Sequence, residues 1–223
     1  QQRGQIKYKY YQDRHKKWAF YTEKEGGNLL LSLLSACTKL IQRLGPLSPQ
    51  QVEEGERLYD RKPNLSDNGI TWSQDNYRHP GLQRQYLRYK SIQRLTESWA
   101  CLQLAHRSGM LEVIAPKGER AGKWRVASLA GGPGFELLSA SCFLRTRLKA
   151  ESVETVSLDL EETWAPVSSA LGHSFKRWDV NDGEALIPLA FNGKSIDIAI
   201  VSYALKHYMD SDRCASWMAK LLT

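Results

Sequence analysis

Apolar residues recur every three or four positions from Leu82 through Tyr86, Tyr89, Ile92, Leu95, Trp99 and Leu102 to Ala105, and Gly109 ends the run. That is the period of one helical face, so the spacing predicts a long helix over 82–108 whose stripe is core. Upstream, Asn28 to Leu44 reads as a helix with Asn28 as its cap and Gly45-Pro46 as its stop. Ser48-Pro49-Gln50-Gln51 restarts one with a cap, a proline in the first turn and a glutamine placed for a capping box; it ends before Lys62-Pro63. The polar stretch from Pro63 to Pro80 reads as loop, with a turn at Asp67-Asn68-Gly69.

After Trp124 the pattern changes. Short apolar runs at Trp124–Leu129, Val153–Leu158, Ser174–Trp178 and Ile196–Val201 alternate with helical segments at Phe135–Leu148, Glu162–Leu171 and Asp210–Leu222. Such alternation predicts an α/β fold: a Rossmann-like parallel sheet joined by crossover helices, preceded by a helical N-terminal region. The division falls near residue 110, giving a helical region over 1–110 and a sheet core over 111–223.

Composition narrows the setting. The 223 residues are 42% hydrophobic and 25% charged, as in an ordinary globular protein. Cys37, Cys101, Cys142 and Cys214 are scattered without a CxxC or Cys/His cluster, which argues against a zinc site or a disulfide framework and for an intracellular setting, cytoplasmic or nuclear. The longest apolar run, Leu29 to Leu34, is broken by Ser32 and is far short of the roughly 20 residues that span a bilayer. No signal peptide is evident and the chain begins with Gln1, so it is read as a processed or excised piece.

Charge is uneven. Residues 1–123 carry 21 Lys and Arg against 12 Asp and Glu, whereas residues 124–223 carry 10 against 12. The basic half suits an anionic partner, RNA being the natural candidate, or else a solvated lysine-rich surface. Within it, Lys7, Tyr8, Lys9, Tyr10, Tyr11, Arg14, Lys16, Lys17 and Trp18 interleave rings with cations, a pattern that stacks on bases or packs as an arm on the domain.

The candidate chemistry lies at the strand ends, where open parallel sheets bind ligands. The first strand opens into Ala130-Gly131-Gly132-Pro133-Gly134, a turn of small residues that admits a ligand against the main chain. The second ends in Asp159, 25 residues after Gly134, where a carboxylate can accept from both hydroxyls of a ribose. The third leads to Asp179, placed to accept from an adenine amino group, and the fourth into Ser202-Tyr203 at the reacting end. A dinucleotide is disfavoured. The sixth position of the GxGxxG pattern is Leu137, and Glu136 sets a carboxylate in the first turn of the helix that a pyrophosphate would need.

These segments together resemble the class I S-adenosylmethionine-dependent methyltransferases. Val126 to Gly134 resembles that family's first motif, Leu158-Asp159-Leu160 its ribose-binding strand end, Phe175 to Val180 its adenine-side segment and Ile196 to Tyr208 its fourth strand with the loop beyond. The resemblance covers roughly 40% of the chain. It implies S-adenosyl-L-methionine as cofactor, with contacts from Ala130, Gly131, Gly132, Gly134, Phe135, Asp159, Leu160, Asp179, Val180, Ser202 and Tyr203. His207 is the candidate catalytic base. His15, His79, His106 and His173 lack metal-ligand spacing and read as surface or capping residues, so no metal is expected.

Two departures stand out: the family's usual acidic residue is Ser128 here, and a usual glycine is Ala130. The family sheet has seven strands, so an end after the fourth implies a fragment of a longer polypeptide, or a protein partner covering the fourth-strand edge. The loop Ser202-Tyr203-Ala204-Leu205 is not the Asn/Asp-Pro-Pro-aromatic motif of amino-directed nucleic-acid enzymes, and no Pro-Cys pair offers a cytosine nucleophile. The sequence therefore leads to a methyltransferase of unidentified acceptor, RNA ahead of protein or small molecule. The alternative is an inactive methyltransferase-like scaffold in a larger assembly.

Overall fold

The computed structural model describes residues 24–43, 45–61, 72–205, 209 and 211–221. The basic aromatic arm over residues 1–20, the Asp67-Asn68-Gly69 turn and His207 lie outside the described residues. Among those described, five helices precede the sheet: α1 (Lys24–Arg43), α2 (Pro49–Asp60), α3 (Gln74–Arg78), α4 (Pro80–Arg107) and α5 (Met110–Val113). Strands β1 (Lys123–Leu129), β2 (Ser152–Asp159), β3 (Ser174–Arg177) and β4 (Ile198–Val201) are all parallel, in the order β3-β2-β1-β4. Helices α6 (Phe135–Arg147), α7 (Ala165–Ala170), α8 (Leu186–Phe191) and α9 (Asp212–Leu221) complete the α/β arrangement that the alternation predicts.

Strand alternation divides the core. Trp124 and Val126 of β1 join a cluster with Leu87, Leu95 and Trp99 of α4 and Leu137, Phe143 and Leu144 of α6. Ala127 and Leu129 point the other way, towards Trp178, Phe191 and Trp217. Each large side chain removed from water in this way contributes about 2–3 kcal/mol. Trp99 is fully buried, with its ring 5.1 Å from that of Phe143 and at 77° to it. The first cluster therefore runs without a break from the N-terminal helices into the sheet. β1 is the point where strand order reverses, since β2 and β3 lie on one side of it and β4 on the other. In open parallel sheets, ligands bind at such a point, beyond the carboxyl ends of the strands on either side of the reversal.

Several local expectations are corrected. α1 begins at Lys24, so Asn28 caps nothing; extending a formed helix by a turn outweighs the helix penalty of Gly26 and Gly27. The expected loop over 63–80 contains α3, closed by a reciprocal capping box between Ser73 and Asn76. The single helix expected over 162–171 is a short 3-10 turn followed by α7, because Pro166 has no N–H to continue a regular ladder. β4 starts at Ile198 rather than Ile196, because the Asp197 carboxylate takes the Arg125 N–H at 2.7 Å. No helix among the described residues is long and apolar enough to cross a membrane.

Candidate functional site

The glycine turn and Asp159 meet as expected. Oδ2 of Asp159 accepts from Gly132 N at 2.7 Å, and Oδ1 accepts from Glu161 N at 2.9 Å. Each carboxylate oxygen offers a second lone pair, so two ligand hydroxyls remain acceptable partners. Burial pushes the carboxyl up, against these two backbone bonds, and the charges of Glu136 and Glu161 add to the rise.

The small residues of the turn are used differently from expectation. A Cβ at Gly131 would collide with Ser128 Oγ and the Glu136 carboxylate, and one at Gly132 would stand 3.5 Å from Trp164 Nε1. At Gly134 the neighbours are Leu137, Ser157 and His173, and the residue has a φ of 80°, which suits glycine. The space beside Gly131 and Gly134 is thus occupied by the chain's own side chains, whereas beside Gly132 a Cβ would make ordinary contact with Trp164. Ala130 has a φ of 52°, a left-handed conformation that strains a residue with a Cβ. The Phe135 side chain lies wholly in the core.

Helix α4 crosses the carboxyl ends of the strands. Gln83 donates to Thr163 Oγ1 at 2.6 Å, and the Tyr86 ring lies 5.3 Å from that of Trp164. Arg94, only 8% exposed, donates to the Ser202 carbonyl at 2.5 Å and to Tyr86 OH at 3.1 Å. Tyr203 follows β4 with a φ of 63° and is 45% exposed. Its hydroxyl donates to Glu97 at 2.5 Å and accepts from Gln93 at 2.6 Å, while the Arg94 guanidinium stands 5.0 Å from its ring. Burial and then Glu97 raise the Tyr203 hydroxyl above its ordinary range. Two left-handed non-glycine residues thus sit just beyond adjacent strands, each held by tertiary contacts.

Compared with family models, curated proteins and solved structures, the chain matches none of them.

Of the other expected contacts, Leu160 is exposed beside Asp159. Asp179 is exposed and accepts from Asn181 N at 2.9 Å and Asn181 Nδ2 at 3.0 Å, closing its own turn rather than meeting the glycines. The Val180 carbonyl accepts from Trp217 Nε1 at 3.0 Å and so anchors α9. His79 caps α4, accepting from Leu82 N at 3.3 Å. His173 is buried rather than at the surface, because the ring fills the space beside Gly134. No group of His, Cys, Asp and Glu among the described residues is arranged to hold a metal.

Arg94, Tyr86, Trp164, Gln93 and Glu97 were not legible as site residues. Tyr86 belongs to the apolar stripe, and Arg94 sits beside Leu95, so the sequence gives no sign that a cation is drawn to the strand ends.

Proposed function

We propose that the chain is an S-adenosylmethionine-dependent methyltransferase core, and the observation that carries this reading is the Asp159 carboxylate bonded to Gly132 N at the strand-order reversal. A half-buried carboxylate with two lone pairs left over suits a ribose diol. When bound, the cofactor supplies a methyl group already activated by its sulfonium. The chain's own work is then to position the acceptor and exclude water. Asp159 orients the sugar, α4 and Trp164 screen the glycine turn, and Tyr203 with Ser202 forms the wall beyond β4. RNA is the favoured acceptor, since residues 1–123 carry the excess of positive charge.

A scaffold without catalysis is the second reading, and a specific observation favours it: side chains of the chain fill the space beside Gly131 and Gly134. Titration calorimetry with S-adenosylmethionine separates the two. The enzyme reading expects binding tighter than millimolar, and an Asp159→Ala loss of about 1–3 kcal/mol through the missing charge-assisted bonds. Absence of binding removes the enzyme reading; unchanged affinity in Asp159→Ala removes this site. For RNA, affinity should fall steeply as salt is raised, and a flat response would exclude it.

A further inference from the structure

Helix α4 leaves an aromatic ring in solvent where its apolar stripe is expected to bury it. Tyr89 belongs to that stripe yet is 49% exposed. Its ring lies 5.2 Å from that of the buried Tyr59 on α2, and the Arg88 guanidinium stands 5.3 Å from its centre. One helical turn further along, Gln93 donates to the hydroxyl of Tyr203, a second half-exposed tyrosine. The Arg94 guanidinium stands 5.0 Å from the Tyr203 ring and the Lys90 ammonium 5.9 Å from it.

Both rings are held in place by the fold but not covered by it. Tyr59 backs one, and the hydroxyl bonds with Glu97 and Gln93 fix the other. A ring fixed in this way loses little freedom when a partner lies against it. The charge around the rings is mainly positive. Arg88, Lys90 and Arg94 face one carboxylate, Glu97, whose Oε1 already accepts from Tyr203 and Gln93. Arg88 makes no ion pair among the described residues. Tyr203 follows β4, so a chain laid along α4 from Tyr89 reaches the carboxyl ends of the strands.

We propose that Tyr89 and Tyr203 are stacking platforms for a single-stranded RNA laid along α4, each ring taking one base while Arg88 and Lys90 meet the phosphates. Every base has a π-face, so such rings hold a strand without reading its sequence, and cations beside them neutralise its backbone. An RNA duplex keeps its base faces inside the stack and does not fit. The inference rests on RNA being the acceptor in the proposed function. It adds which surface holds the RNA and in what strand state.

The test is fluorescence anisotropy on the whole chain with three labelled probes of equal length: oligouridylate, an abasic ribose-phosphate strand and an RNA duplex. Wild type is expected to bind oligouridylate roughly 10-fold or more tighter than the abasic strand. Tyr89→Leu and Tyr203→Leu should each weaken oligouridylate binding roughly 5–50-fold, and leave the abasic strand and the duplex within about twofold. Tyr89→Phe keeps the ring and should match wild type; thermal unfolding checks that every variant is folded. Arg88→Gln should flatten the salt dependence of oligouridylate binding by about 0.7 in log–log slope, one phosphate contact. Equal wild-type affinity for oligouridylate and the abasic strand, or leucine variants that bind oligouridylate as wild type does, overturns the platforms while leaving RNA as the acceptor. A chain that binds no RNA at low salt removes the RNA acceptor itself, and the platforms with it. A dimer of the chain alone that Tyr89→Leu dissociates would assign this surface to a second copy and overturn the proposal as well.

Discussion

Acid should weaken this protein through His173, and the size of the effect follows from its surroundings. The ring is 6% exposed, shares a hydrogen bond with Thr155 Oγ1 at 2.9 Å through Nδ1, and has no partner at Nε2. Burial lowers its pKa from the ordinary 6.5 to about 4. The fold therefore favours the neutral ring. That contribution is fully present above pH 6.5 and is lost as pH falls through 4. Lowering the pKa from 6.5 to about 4 corresponds to about 3 kcal/mol, released at up to ~1.4 kcal/mol per pH unit. His173→Asn keeps a polar atom for Thr155 but does not titrate; the lost ring packing should cost it about 1–2 kcal/mol at pH 7. Urea unfolding of both proteins at pH 7, 6, 5 and 4 isolates the effect, because every other titrating group is common to the pair. The stability difference should shrink steadily on acidification and close or reverse by pH 4. Parallel curves would refute the reasoning, since a ring that costs nothing to charge is not buried as described.

Ala130→Gly should raise stability by about 0.5–1 kcal/mol, because glycine adopts the left-handed φ of 52° without a Cβ penalty; a fall in the thermal midpoint would count against strain there. Gly131→Ala should lower stability by about 2–3 kcal/mol, since Ser128 and Glu136 occupy the place of the added methyl, and chemical denaturation would register it. Asp159→Asn should separate folding from binding. The amide accepts only one of the two backbone N–H groups, yet it also removes a half-buried charge whose pKa is raised, so unfolding free energy at pH 7 should stay within about 2 kcal/mol of wild type. Nucleoside affinity should drop roughly 10–100-fold in the same variant, and it should fall for wild type on acidification, as Asp159 protonates above the ordinary carboxyl range. Equal losses in stability and affinity, or binding indifferent to pH, would show that Asp159 is only a turn former.

The long periods and the alternation made the architecture legible, because burial imposes them residue by residue. The stripe from Leu82 to Ala105 marked a helix, although Tyr89 within it is exposed and the helix also buries Gln83, Arg94 and Thr96 off the stripe. The four apolar runs after Trp124 marked strands joined by crossovers. What escaped were elements too short to show a period. α3 and α5 have five and four residues, held by a capping box and by the left-handed Gly109. α8 has Pro188 in its first turn, a position where proline is tolerated but where a sequence reading stops. The boundaries of β4 moved because a side chain, Asp197, took over a ladder bond from the backbone.

The site was legible only in its local half. Glycines, Asp159 and the strand that ends in Tyr203 advertise themselves because a turn and a strand end fix where they stand. Which groups face them is decided by a helix some 40 residues upstream of the glycine turn, and nothing local in Arg94 or Tyr86 encodes that approach. Glu136 makes the point most clearly. Its place in the first turn of α6 counted only as an obstacle to a pyrophosphate, yet folding turns its carboxylate back onto Ser128. A carboxyl group therefore reaches the end of β1 from a residue eight positions along the chain. Charge at a site is a property of the space around it, and sequence position is one of several ways to deliver it there.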